Sequence, residues 1–133
     1  MNFILDTDIC IYWLKGNATV RDRFYKAGAS EIAISVITIA ELFYGAYNSS
    51  RMNENLGQVE TFTNGIDILQ LSLVALRKFG EMKSTLQKSG QLITDFDLLI
   101  ASTAIAENRV LVTNNIKHFD RISELKLENW LLA

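Results

Sequence analysis

The segment that most constrains this chain is Thr94-Asp95-Phe96-Asp97, followed without a break by Leu98-Leu99-Ile100-Ala101-Ser102-Thr103-Ala104. It has the length and composition of a helix that is apolar on nearly every side, and such a helix is buried inside a molecule instead of lying on its surface. Its first turn nevertheless carries Asp95 and Asp97. A carboxylate at the head of a buried helix needs a partner. The free N–H groups of the first helical turn are one solution, and a metal ion is the other.

The chain on either side reads as an alternation of short apolar strands and helices. Residues 2–5 form a first strand ending at Asp6, and Thr7-Asp8 can cap a helix over 9–15 that Gly16 stops. Thr19-Val20-Arg21-Asp22 has the form of a capping box opening a helix that runs to Gly28. A second strand over 31–35 leads into a helix over 36–47 that carries Glu41, and a weaker helix over 53–63 puts Leu56, Val59 and Phe62 on one face. A third strand covers 67–71. The helix over 72–89 is amphipathic, with Ala75, Phe79, Met82 and Leu86 inward, and Gly90 is its C-cap. After the buried helix come a fourth strand over 109–113, a turn or short helix over 114–119 and a last strand over 127–130. This order predicts an α/β/α sandwich with a central, mainly parallel sheet of four to five short strands, in one domain. Ligands of such sheets bind at the carboxyl ends of the strands, near a change in strand order.

Composition excludes several kinds of chemistry. His118 is the only histidine and Cys10 the only cysteine, so a two-histidine ribonuclease mechanism, a Cys/His zinc site and an internal disulfide are all ruled out. No apolar run approaches the ~20 residues of a membrane span, and no signal peptide is visible. The expected location is the cytoplasm. A net charge of −2 gives no global attraction to nucleic acid. Catalysis here has to come from carboxylates, hydroxyls or lysines.

The acids each have a plain structural reading. Thr38-Ile39-Ala40-Glu41 and Thr94-Asp95-Phe96-Asp97 fit capping boxes, and Asp8 fits an N-cap. Asp6 resists that reading, because it directly follows a buried strand. Taken together the acids point elsewhere. If Asp6, Glu41 and Asp97 converge within ~5 Å, each pair repels by about 3 kcal/mol at an effective dielectric near 20. Protonation or a bound cation must relieve that, and an all-oxygen set favours Mg²⁺ or Mn²⁺ over zinc.

Asp6-Thr7-Asp8, the stretch Ser35-Val36-Ile37-Thr38-Ile39-Ala40-Glu41-Leu42-Phe43-Tyr44-Gly45, Phe96-Asp97-Leu98-Leu99-Ile100-Ala101, and Val112-Thr113-Asn114-Asn115 with His118-Phe119 resemble the PIN-domain family. Within it they are most similar to the VapC-type ribonuclease toxins of bacterial toxin–antitoxin pairs. The resemblance implies a Mg²⁺- or Mn²⁺-dependent endoribonuclease in which Asp6, Glu41 and Asp97 form the acidic triad. A metal-activated water attacks the phosphate in line and leaves a 5′-phosphate. Thr7 matches the small polar residue beside the first acid. Asp8 stands where relatives usually carry Asn or Ser, and Asn115, next to Asn114, where many carry a fourth Asp. Asp95 is assigned to capping or to support of the site. The implied partners are RNA, a VapB-type antitoxin and a second copy of the chain, with promoter DNA reached through the antitoxin.

Of the cations Arg77, Lys78, Lys83 and Lys88, Lys83 lies off the polar face and is the candidate phosphate contact. Cys10 and Trp13 read as core, His118 as a surface or turn residue. Phe43, Tyr44 and Tyr47 read as core or as part of a dimer or antitoxin groove. Three other readings remain open. They are a non-catalytic metal- or antitoxin-binding module, a DNA-directed nuclease, and a haloacid dehalogenase-type phosphatase suggested by Asp6-Thr7-Asp8. The last lacks the expected Gly-Thr, because Ile9-Cys10 follows.

Overall fold

A computed structural model describes residues 2–132. β1 (Phe3–Leu5) is followed by α1 (Thr7–Leu14), α2 (Ala18–Ala27), a 3₁₀ turn (Ala29–Glu31) and β2 (Ile32–Ser35). Then come α3 (Val36–Tyr47), α4 (Met52–Asn64), β3 (Asp67–Leu69), α5 (Leu73–Lys88) and α6 (Asp95–Ala106). β4 (Val110–Val112), α7 (Ile116–Phe119) and β5 (Leu127–Glu128) complete the chain. The strands form one sheet in the order β3-β2-β1-β4-β5, parallel throughout. The chain begins at the centre of the sheet, builds out through β2 and β3, and returns to the other edge of β1 with β4. The strand order therefore changes direction between β1 and β4, whose carboxyl ends are Asp6 and Thr113.

Alternation along the strands divides the core into two layers. Leu5, Ile32, Ile34 and Val112 face a cluster with Ile9, Cys10, Val20, Phe24, Leu42, Val59 and Phe62 from α1 to α4. Ile4 and Leu111 face Met82, Leu86, Leu98, Ile100, Ala101, Ala104 and Phe119 from α5 to α7. Successive side chains thus bury on opposite faces, as in a parallel sheet covered on both sides. α6 is buried as its composition requires, from Leu98 through Ala104 apart from the half-buried Leu99. No helix among the described residues is long and apolar enough to cross a membrane.

Several boundaries differ from the sequence expectation. The strands are shorter, with β3 ending at Leu69 and β5 at Glu128. Three caps also move. Asp6, not Thr7-Asp8, is the N-cap of α1 and accepts from the Thr7 amide. Ser35 caps α3 by accepting from the Thr38 amide, so Thr38 and Glu41 form no capping box. Asn17 caps α2 by accepting from the Val20 amide, ahead of the Thr19 that the sequence suggests. In each case the oxygen nearest the end of the preceding strand or turn reaches the free N–H groups first. Asn17→Ala is therefore expected to lower stability by about 1 kcal/mol in urea denaturation, and Thr19→Ala by less than about 0.5 kcal/mol. Gly16, at φ +83°, lies just beyond α1, where the left-handed backbone favours glycine.

Candidate active site

The register of β1 on β4 pairs Leu5 with Val112, which sets the next residues, Asp6 and Thr113, side by side at the switch point. Asp6 is 5% exposed. One carboxylate oxygen accepts from its neighbour's amide, Thr7 N, at 2.8 Å, and the other from the Thr113 hydroxyl at 2.8 Å. The expectation that Asp6 resists a capping role is thus corrected, because one of its oxygens caps α1. The Thr113 hydroxyl in turn accepts from the Asn115 amide at 2.9 Å.

Asp8 lies in the first turn of α1, with one oxygen accepting from the Ile9 amide at 2.7 Å and the other from the Asn114 amide at 3.0 Å. Asn129 Nδ2 donates to Asn114 Oδ1 at 3.0 Å, tying that turn to the end of β5. Glu41 is reached through a hydroxyl: Thr7 Oγ1 donates to Glu41 Oε1 at 2.6 Å, with the Thr38 hydroxyl 3.1 Å away. Asp97, on α6, donates its amide to Thr94 Oγ1 at 3.3 Å, so Thr94 is the N-cap that the sequence suggested. Asp95 does not cap. It forms an ion pair with Lys83 at 3.0 Å, which commits the ammonium offered as a phosphate contact.

The electrostatics single out three carboxylates. Burial first, then repulsion from Asp8 and more weakly from Asp97, pushes the Asp6 carboxyl up from 3.8 to about 7. Asp8 is raised chiefly by burial, with repulsion from Asp97 adding to it. Asp97 is raised by burial, opposed by Thr94 and by the nearby His118. Asp8, expected only as an accessory, is therefore the acid most strongly coupled to Asp6, while Glu41 is joined to the group by Thr7.

Among the described residues these acids lack a cationic partner although they are buried or half-buried, whereas of the five other unpaired acids Glu60, Asp67, Glu107 and Asp120 are exposed and Glu31 lies at the opposite end of β2. Asp22, Glu54, Glu81, Asp95, Glu124 and Glu128 each pair with a lysine or arginine. Among the described residues Asp6, Asp8 and Glu41 have no such partner, and Asp97 has only the His118 ring at 4.0 Å. Uncompensated carboxylates, with Asp6, Asp8 and Asp97 raised by burial, are a donor set suited to a hard divalent cation. Among the described residues, however, no three Asp, Glu, His or Cys side chains stand close enough to grip one ion unaided. The close convergence of Asp6, Glu41 and Asp97 expected from sequence is not realised in that form. The fit is that of a Mg²⁺-type site, in which one or two carboxylates hold an ion that keeps several waters.

Sequence reading missed Thr113 and the placement of His118. A threonine after an apolar strand is unremarkable by itself, and only the register of β1 on β4 shows that it faces Asp6. His118 is exposed on a short helical turn, as the sequence suggests, but its neighbours are not legible there. It stands on α7 with its ring beside Asp97, and Asn115 Nδ2 lies 2.7 Å from His118 Nδ1.

A parallel sheet with buried acids at this switch point defines a class, and the comparisons agree. The PIN domain family model matches residues 3–125, and the chain belongs to that family, within its VapC group. It is 42% identical to ribonuclease VapC2 of Rickettsia felis over 98% of both sequences. It is 36% identical to the tRNA(fMet)-specific endonuclease VapC of Shigella flexneri, again over 98% of both. In the crystal structure of VapBC2 from Rickettsia felis bound to a DNA fragment from their promoter, a chain matches with a TM-score of 0.91 at 41% identity. That match covers 98% of this chain and 99% of the other.

Proposed function

We propose that this chain is a VapC-type ribonuclease toxin that cleaves RNA with a Mg²⁺ or Mn²⁺ ion bound at the group of Asp6, Asp97 and Glu41, directly by one or two carboxylates and through its waters by the rest, with Asp8 as an additional donor. One observation carries the reading: Asp6, Asp8, Glu41 and Asp97 are buried or half-buried at the strand-order switch without a lysine or arginine partner, whereas the unpaired Glu60, Asp67, Glu107 and Asp120 are exposed. When bound, the cation supplies an activated water and shields the charge of the scissile phosphate. The chain's own residues hold the carboxylates in place. Thr113 and the Thr7 amide fix both oxygens of Asp6, the Asn114 amide fixes Asp8, and the Thr7 hydroxyl orients Glu41. The buried side of α6 from Leu98 onward fixes the backbone beneath Asp97.

The names of the relatives support the substrate, since they are called ribonuclease and tRNA(fMet)-specific endonuclease. A VapB-type antitoxin as partner is supported by the matching VapBC complex with promoter DNA, which also suits promoter contact through the antitoxin. Tyr44 and Tyr47, 71% and 64% exposed on α3, are available to a second copy or to the antitoxin. An antitoxin-binding module without catalysis is the second reading, and the wide spacing of the carboxylates favours it. It predicts no cleavage with or without Mg²⁺.

The test is RNA cleavage in a preparation shown free of host nuclease, with 5′-phosphate ends mapped. EDTA is expected to abolish cleavage and Mg²⁺ or Mn²⁺ to restore it, while Asp97→Asn is expected to lower it by at least about 100-fold. Wild-type cleavage by Asp97→Asn, or cleavage indifferent to EDTA, contradicts the proposal.

A further inference from the structure

We propose that His118 is a substrate-binding residue, donating its Nε2–H to a phosphate oxygen of the RNA beside the carboxylate group, with Asn115 setting its tautomer. The proposal rests on the ribonuclease reading above. It starts from a chain of hydrogen bonds leading out of the buried site. Asp6 accepts from the Thr113 hydroxyl at 2.8 Å, that oxygen accepts from the Asn115 amide at 2.9 Å, and Asn115 Nδ2 meets His118 Nδ1 at 2.7 Å. Phe119, the next residue, is fully buried and pins the short α7. The ring is therefore held in place from both sides.

The polarity of the last bond decides the rest. With the Asn115 amide nitrogen facing it, Nδ1 is assigned as the acceptor and the ring N–H to Nε2. The same Nδ1 lies 4.0 Å from Asp97 Oδ2. It cannot donate to Asp97 while accepting from Asn115 at 2.7 Å, and the shorter contact governs. The imidazole therefore stands beside Asp97 without a hydrogen bond to it, held by Asn115. Its Nε2–H has no acceptor among the described residues, and the side chain is 47% exposed.

This arrangement suits a phosphodiester entering an acidic site. The carboxylates repel the anion, and Lys83 is already paired with Asp95. A lysine or arginine at position 118 would pair with Asp97 and compete with a cation. A single N–H donor at the rim, its other ring nitrogen engaged by Asn115, binds a phosphate oxygen without doing so.

The experiment uses full-length protein, bulk bacterial tRNA and Mn²⁺ under single-turnover conditions, with enzyme titrated to give a half-saturating concentration and a saturating rate. His118→Ala is expected to raise the half-saturating concentration about tenfold, with the loss falling there and not on the saturating rate. His118→Gln places an amide N–H near the Nε2 position and is expected to restore binding to within about threefold. The ¹⁵N shifts of the His118 ring are expected to report the Nε2–H tautomer in the wild type. Asn115→Asp, which turns the donor into an acceptor, is expected to move the proton to Nδ1. An unchanged half-saturating concentration in His118→Ala, a loss confined to the saturating rate, failure of His118→Gln to restore binding, or an Nδ1–H tautomer in the wild type each overturns the proposal while leaving the ribonuclease reading intact. No cleavage of any RNA by the wild type overturns both.

Discussion

Asp6→Asn is expected to lower RNA cleavage on the order of 10³-fold, equivalent to about 4 kcal/mol of barrier, without unfolding the protein. The substitution keeps the shape of the side chain. Its carbonyl can accept from the Thr7 amide, and its NH₂ can meet the Thr113 hydroxyl, which rotates to accept. The stability effect has the opposite sign from the activity effect. The Asp6 carboxyl is raised from 3.8 to about 7 in the fold, so between those values the folded chain holds a proton that the unfolded chain has lost. Its contribution is favourable below about pH 4 and is lost as pH rises to about 7. In ion-free protein, ionised Asp6 then costs on the order of 4 kcal/mol. Thermal unfolding in EDTA from pH 4 to pH 8 should therefore show a decline in Tm that Asp6→Asn reduces. Mg²⁺ should raise the wild-type Tm at pH 8 more than at pH 5.5, since it competes with the proton. A variant that cleaves like the wild type, or that loses stability at every pH, contradicts this account of Asp6.

Trp130→Ala is expected to remove about 3–5 kcal/mol of stability, much of the roughly 5–15 kcal/mol typical of a domain. Trp130 is 1% exposed. Its ring meets Phe3 edge-on at 5.2 Å, Arg23 lies 5.9 Å from the ring centre, and Nε1 donates to Glu128 Oε1 at 3.1 Å. β5 is only Leu127–Glu128, too short to hold an edge by its ladder alone, so the indole fastens it. The Tm should fall by roughly 10–20 °C, whereas Tyr44→Ala, at a position 71% exposed, should stay within about 0.5 kcal/mol. Urea denaturation followed by circular dichroism decides between them. The Thr113 amide donates to the Glu128 carbonyl at 2.9 Å, so loosening β5 also disturbs the residue that holds Asp6.

The strands and the buried helix were legible because apolar runs and their spacing are local properties of the chain. Helix starts were harder, since Asn17 and Thr19, or Ser35 and Thr38, are equally good caps on paper. The choice depends on where the preceding backbone ends, which is set by tertiary pairing. Asp6 stood out by its place after β1, and the family by four motifs in order. What the spacing does not show is how the acids meet: Asp8 repels Asp6 and is itself repelled by Asp97, while Glu41 is reached only through the Thr7 hydroxyl. Nothing in a one-dimensional pattern shows that α7 folds back to set His118 beside Asp97. The Lys83–Asp95 pair joins residues twelve positions apart, across the turn between α5 and α6, and it was equally invisible.

The hydrogen bond between Asp6 and Thr113 spans 107 positions. Ribosomes add about 5–20 residues each second, so on the order of 5–20 s separates the synthesis of its two ends. Until β4 exists, one edge of β1 has no neighbour and Asp6 has no Thr113 to hold it. The growing chain therefore carries its acids as scattered, ordinary side chains. The carboxylate group at the strand-order switch is thus assembled only once β4 has been made and has paired with β1.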